Sequence, residues 1–246
     1  MTKQIAIVTG GMGGIGQAIC RTLYNEGFRV VATYHRPEEA ASTWLTEQQA
    51  AGYEFDIINV NVADYESCEA MAQKIENEIG IVDVLVNNAG ITNDATCSKM
   101  TKNAWDLVIN TDLNSVFYVT HAFINSMRAK KYGRIINISS INGQKGQYGQ
   151  VNYSAAKAGM HGFTKALARE VAKDGITVNT ISPGYVSTDM IMAVSESIRE
   201  KILAEIPMGR FAEPEEVARV VSFLANRHNS YITGANIAVN GGHYML

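Results

Sequence analysis

The stretch "IAIVTGGMGGIGQAI", residues 5–19, decides how the whole chain is read. Four apolar residues rich in Ile and Val run directly into glycines, and helix-type spacing begins at once. That is a buried strand, a tight turn and a helix N-terminus in succession. Gly10, Gly14 and Gly16 fall in a G-x-x-x-G-x-G spacing, with Met12, Gly13 and Ile15 between them. Glycines there let the backbone turn sharply and come close to a pyrophosphate, whose charge a helix N-terminus favours. A strand before and a helix after give the pattern its weight.

The same alternation continues outward. "IAIVT", "RVVAT", "FDIINV", "DVLVNN", "GRIINIS", "TVNTIS" and "ANIAVNG" read as seven buried strands, and helical spacing separates them. Strand–helix alternation implies right-handed crossovers and a parallel sheet. The expected fold is α/β: a single doubly wound Rossmann domain over residues 1–246, with a seven-stranded parallel sheet and helices on both faces. Residues 104–130 read as one long helix. Residues from about 187 to 210, rich in Met and Ile, break the alternation and are expected to form a lid over a site.

The chain has 246 residues, 46% of them hydrophobic, and a net charge of −3. Such a balance supports a sizeable core and excludes the basic footprint of a nucleic-acid binder. No run approaches the ~20 apolar residues of a membrane span, and the N-terminal apolar run is too short for a signal peptide. A cytoplasmic location is expected. Cys20, Cys68 and Cys97 lack metal spacing and read as buried, reduced thiols, and no metal is expected.

In dinucleotide folds the end of the second strand meets the adenosine ribose. An acid there bonds the 2′-hydroxyl, and a basic residue accommodates a 2′-phosphate. Here Tyr34 stands where the acid is expected, and Arg36 follows. That favours NADP(H). Further on, Tyr153 and Lys157 lie at i and i+4 on one helix face, with Ser140 upstream. A nearby ammonium is expected to lower the phenol pKa from its usual value of about 10 by ~1–3 units. Tyr153 then becomes a proton donor to a carbonyl oxygen, and Ser140 polarises the same oxygen.

The set "TGGMGGIG", "NNAG", Ser140, Tyr153 with Lys157, and "SPG" occurs in order, and by it the chain resembles the short-chain dehydrogenase/reductase family over its full length. The resemblance implies that Asn61 and Val62 border the adenine. It implies that Asn88, Ala89, Gly90 and Ile91 pass beneath the ribose and pyrophosphate. Pro183, Gly184, Val186 and Thr188 would hold the nicotinamide end, and Lys157 its ribose. Where the family usually carries a catalytic Asn on the central helix, this chain has Asp112. An ionised Asp112 is expected to raise the Lys157 pKa and partly cancel its field at Tyr153.

Within the family, "GQKGQYGQVNYS", "NNAGITND" and "NGGHYM" are similar to the acetoacetyl-CoA reductases of polyhydroxybutyrate synthesis. That resemblance implies an acyl-CoA substrate touched by Asp94, Gln147, Tyr148, Gln150 and Tyr185, besides Ser140 and Tyr153. It also implies a homotetramer built on the long helix and the Tyr153 helix. The near rival is a 3-oxoacyl-(acyl carrier protein) reductase. Its acidic carrier calls for cations beside the cleft, where Lys131 is basic but Asp174 repels. A catalytically silent NADPH-binding regulatory protein is the rival from another class, and the intact Ser140, Tyr153 and Lys157 argue against it.

Overall fold

A computed structural model describes residues 3–245, apart from the side chain of Met190, a residue of the expected lid. Seven strands form one all-parallel sheet in the order β3-β2-β1-β4-β5-β6-β7. They are β1 (Ile5–Val8), β2 (Arg29–Tyr34), β3 (Asp56–Asn59), β4 (Val84–Asn87), β5 (Gly133–Ile138), β6 (Ile176–Pro183) and β7 (Asn236–Val239). The helices are α1 (Gly14–Asn25), α2 (Glu38–Ala50), α3 (Tyr65–Glu78), α4 (Lys102–Ile109), α5 (Ser115–Lys130), α6 (Asn142–Lys145), α7 (Val151–Val171), α8 (Asp189–Met192), α9 (Glu196–Glu205) and α10 (Pro214–Ala225).

Strand residues alternate between two cores, which is the doubly wound arrangement. Ala6, Val8, Val84 and Val86 pack under Ile19 and Leu23 of α1, Trp44 of α2 and Val217, Val221 and Leu224 of α10. Ile5, Ile7 and Leu85 face the other way, onto Met71 and Ile75 of α3, Phe123 and Met127 of α5 and Val171 of α7. Local chemistry starts the helices where the pattern placed them. Asp64 accepts from Ser67 N at 2.7 Å to cap α3, and Thr101 accepts from Ala104 N at 3.1 Å to cap α4. Glu213 and Glu216 form a capping box on α10, with Pro214 in its first turn.

The register is pinned by a buried polar rung. Asn87 pairs with Asn137 and Asn137 with Thr180 across adjacent strands. Asn87 Nδ2 donates to Asn137 Oδ1 at 2.8 Å, and Asn137 Nδ2 donates to Thr164 Oγ1 at 2.8 Å. Thr164 and Thr180 share a hydroxyl bond of 2.7 Å.

Two expectations need correction. The stretch 104–130 is not one α-helix, because a π-helical turn at Asn110–Asn114 separates α4 from α5. The turn contains no Gly or Pro, so no residue type marks it in the sequence. Cys97 is exposed, whereas Cys20 and Cys68 are buried. Burial pushes the Cys68 thiol up to about 12 and the Cys20 thiol higher still. Among the described residues, no helix is long and apolar enough to cross a membrane.

Candidate active site

The carboxyl edge of the sheet gathers most of the sequence-selected residues. The glycine loop leaves β1 and closes on α1. A Cβ at Gly16 would collide with the Gly10 carbonyl and lie 2.9 Å from Asn88 Nδ2, so only glycine fits that close approach. Asn88 Nδ2 donates to the Thr9 carbonyl at 2.9 Å, tying the "NNAG" turn after β4 to the loop. Thr9 Oγ1 accepts from Asn88 N at 2.9 Å and Ala89 N at 3.0 Å. Thr9 is a positioning residue the sequence reading missed, although it directly precedes Gly10. A Cβ on Gly14 would sit 2.8 Å from Thr188 Cγ2, so the loop after β6 reaches the same cradle. Bare backbone held against a helix N-terminus suits a dinucleotide.

Tyr34 closes β2 as a buried residue, and Arg36 is exposed just beyond it. Asn61 is exposed and Val62 buried at the end of the neighbouring strand. Pro183 ends β6 and accepts from Ile141 N at 2.8 Å, so the segment carrying Ser140 is sewn to the one carrying Gly184.

Ser140 follows β5, and its Oγ accepts from Asn142 N at 3.1 Å. Tyr153 and Lys157 stand one turn apart on α7, with Lys157 Nζ 5.4 Å from the Tyr153 ring centroid. Ser139 Oγ donates to the Lys157 carbonyl at 2.8 Å, fixing α7 against the end of β5. Lys157 Nζ donates to the Ile138 carbonyl at 3.1 Å and lies 3.2 Å from Asp112 Oδ2. The side chains of Lys157 and Asp112 are only 4% and 0% exposed, so this is a buried ion pair. Asp112 Oδ1 accepts from Ile91 N at 2.9 Å. Gly90 lies against the pair, since a Cβ there would be 2.7 Å from Asp112 Oδ2 and 3.1 Å from Lys157 Nζ. The π-helical turn carries Asp112 inward, while Asn110 and Asn114 bond each other at 2.7 Å.

The electrostatics follow from burial. Burial presses the Lys157 ammonium down, but the charge of Asp112, with help from Tyr153, lifts it above the ordinary lysine value. Burial also raises the Asp112 carboxyl, against the pull of Lys157. The Tyr153 phenol is raised, not lowered as expected from spacing alone. Burial outweighs the pull of Lys157, and the charge of Asp112 adds to burial. The phenol is therefore neutral near neutral pH, the form that can give up a proton.

Beside Ser140, Asn142 Nδ2 donates to Gln150 Oε1 at 2.9 Å, and Gln150 Nε2 donates to Asp94 Oδ2 at 2.8 Å. Asn152, fully buried, donates to the Asn93 and Ala104 carbonyls at 2.9 and 3.2 Å. Asn142 and Asn152 were not singled out from sequence; the only signal for Asn142 is its place two residues after Ser140. Tyr185 is partly buried, its ring 5.8 Å from that of His243 and 6.3 Å from that of Phe211. Gln147 and Tyr148 stand apart from this grouping: both are exposed, Tyr148 at 86%. Lys131 and Asp174 also differ from expectation. They flank the starts of β5 and β6, the sheet edge opposite Ser140, and Asp174 binds both Lys131 and Arg128.

The site can hold a dinucleotide along the glycine loop and deliver a proton from Tyr153 to an oxygen bound by Ser140. Comparison with known proteins gives the family. The short chain dehydrogenase family model matches residues 4–199. The acetoacetyl-CoA reductase of Cupriavidus necator is 51% identical over 245 residues, covering 100% of both chains. Nodulation protein G of Azospirillum brasilense is 52% identical over 98% of each chain. The 3-oxoacyl-(acyl-carrier-protein) reductase of Escherichia coli is 46% identical over 99% of this chain and 98% of its own. A phosphate cradle, a phenol–ammonium pair and full-length similarity converge, and the chain belongs to the short-chain dehydrogenase family, as an oxidoreductase of CH–OH groups that uses a nicotinamide cofactor.

Proposed function

We propose that this protein reduces short 3-oxoacyl-CoA thioesters, acetoacetyl-CoA foremost, to the (R)-3-hydroxyacyl-CoA with NADPH. The observation that carries this reading is the Asp94–Gln150–Asn142 chain set against Ser140, in a protein half identical to acetoacetyl-CoA reductases over their full length. Tyr153 donates the proton to the carbonyl oxygen, and its raised pKa keeps that proton available. Ser140 holds the same oxygen as negative charge develops. Lys157 keeps a positive charge beside the phenol, and Asp112 keeps Lys157 charged in its buried place. The bound nicotinamide supplies the hydride.

Arg36, with Tyr34 in place of an acid, supports NADPH over NADH. The segment at 187–210 serves as the lid. It is built of α8 and α9, and Met192, Ile198 and Met208 lie exposed at 55%, 50% and 65%, apolar surface suited to closing over a small acyl group. The carrier-protein reading loses the cation expected for it, because Lys131 lies at the sheet edge opposite Ser140, where Asp174 binds it. Phe117 on α5 and the exposed Ala155, Ala158 and Gly162 on α7 support a homotetramer through these two helices.

The test compares turnover of acetoacetyl-CoA with that of the matching carrier-protein thioester, each with NADPH and with NADH. The CoA ester with NADPH is expected to have the highest kcat/KM. Preference for the carrier-protein ester would replace the substrate assignment, and no turnover of either would end it.

A further inference from the structure

Outside the groups used so far, one cluster of titratable groups around a buried ring joins four segments that are distant in the chain. His243, after β7, has a side chain only 5% exposed. Its Nε2 lies 2.9 Å from Lys145 Nζ at the end of α6 and 3.2 Å from Glu205 Oε2 at the end of α9. Lys145 Nζ and Glu205 Oε2 are 3.9 Å apart. The His243 ring stacks on Tyr185 at an interplanar angle of 25°. Its Nδ1 is buried and has no hydrogen-bond partner among the described residues. Below α9, Met208 N donates to the Gly241 carbonyl at 3.2 Å, so the chain end also underlies the exit of that helix.

Nε2 cannot serve both neighbours at once. An ammonium only donates, a carboxylate only accepts, and Nε2 has one bonding site. Without a proton, Nε2 accepts from Lys145, and the ring proton on Nδ1 then faces no partner. With a proton, Nε2 donates to Glu205, and Lys145 loses the ring as an acceptor. The first arrangement fastens the chain end to α6, and the second fastens it to α9. In both, the same ring backs Tyr185.

We infer that His243 is a positioning residue whose single ring nitrogen, contested by Lys145 and Glu205, couples the seating of α9 to the placement of Tyr185. The part concerning Tyr185 rests on the proposed function, in which Tyr185 meets the acyl end. The coupling to α9 does not.

Three variants of the full-length enzyme separate these parts. His243→Phe keeps a flat ring on Tyr185 and removes Nε2. His243→Gln supplies a separate donor and acceptor but no ring. Glu205→Gln removes the charge at a position 66% exposed, where folding is not at stake. Hydrogen exchange of the α9 amides is followed with and without NADPH, with the α10 amides as control. His243→Phe and Glu205→Gln should each speed α9 exchange by about fivefold, and the double variant should go no further than either alone. His243→Gln should leave α9 exchange slow yet raise KM for acetoacetyl-CoA by about tenfold, with kcat within about threefold and KM for NADPH unchanged. Wild-type α9 exchange in His243→Phe and Glu205→Gln, or additive effects, would overturn the coupling. An unchanged acyl KM in His243→Gln would overturn the role at Tyr185. If the wild-type enzyme turns over no 3-oxoacyl thioester, the proposed function fails and exchange still decides the coupling.

Discussion

Replacing Asp112 by Asn isolates the role of a buried counter-charge next to Tyr153, the proposed proton donor. In the native site the Asp112 carboxylate lies 3.2 Å from Lys157 Nζ. At an effective dielectric of about 20, two unit charges at that separation attract by about 5 kcal/mol. That equals roughly four pH units of support for the ammonium. The amide keeps the bond from Ile91 N through its oxygen, so local structure should survive. It withdraws the charge that holds Lys157 above its ordinary value and that opposes ionisation of Tyr153. Both changes act in one direction. Lys157 loses its proton at lower pH, and so does the phenol. Reduction needs the phenol protonated, so activity falls as pH rises through the apparent pKa values of the coupled pair.

The alkaline limb of kcat/KM for acetoacetyl-CoA should therefore move down by about 1–3 units, with water around the amide returning the rest of the Coulomb loss. Near neutral pH, turnover should stay within about tenfold of wild type, because Tyr153 and Ser140 are untouched. The assay is NADPH absorbance followed across pH at limiting thioester, with both proteins checked for the same melting temperature at neutral pH. An alkaline limb that stays in place, or moves up, would falsify the claim that Asp112 sets the electrostatics of Tyr153 and Lys157.

Tyr153→Phe should lose at least ~10²-fold in turnover while NADPH still binds, measured by fluorescence titration; near-normal turnover would place the proton elsewhere. Gly90→Ala drives a methyl to 2.7 Å from Asp112 Oδ2. It should cost about 1–3 kcal/mol in thermal unfolding and lower turnover as well, and an unchanged melt with full activity would show that the pair yields freely. Arg36→Ala should raise KM for NADPH more than KM for NADH, and Tyr34→Asp should reduce the preference further; equal Michaelis constants before and after would remove Arg36 from the cofactor site.

The sheet was legible because each strand is a short Val/Ile run stopped by Gly, Asn, Ser or Thr, a pattern with little helical alternative. The glycine loop, Ser140, Tyr153 and Lys157 were legible because strand and helix context and the order of the motifs along the chain back up their spacing. What stayed hidden depends on burial or on contacts across the fold. The Tyr153 shift has the opposite sign to the expectation, since a neighbour's charge can be read from i and i+4 but desolvation cannot. The π-helical turn that points Asp112 inward contains no Gly or Pro that would mark it. Asn152 and Thr9 act through backbone groups far away in sequence, and Asn142 acts through the Gln150 side chain. Gln147 and Tyr148 lie in the predicted loop but project outward. Lys131 falls at the opposite sheet edge from Ser140, because a helix entering a parallel strand must begin it at the far end.

The polar rung through Asn87, Asn137, Thr164 and Thr180 has a consequence for how this protein can be altered. Each member is the sole satisfaction of part of the next, so removing one strands a buried neighbour at a cost of about 1–3 kcal/mol. Exchanging all of them for apolar groups of matching shape removes the need within the rung, leaving only Thr120 Oγ1, which accepts from Asn87 Nδ2 at 3.2 Å, to lose a partner. Substitutions along the rung should therefore be strongly non-additive. A library opened at one of these positions would return almost only the native residue, whereas one opened at all four together should contain Val- and Leu-rich solutions. The core's tolerance at these sites is a property of the group, invisible to any scan that visits them singly.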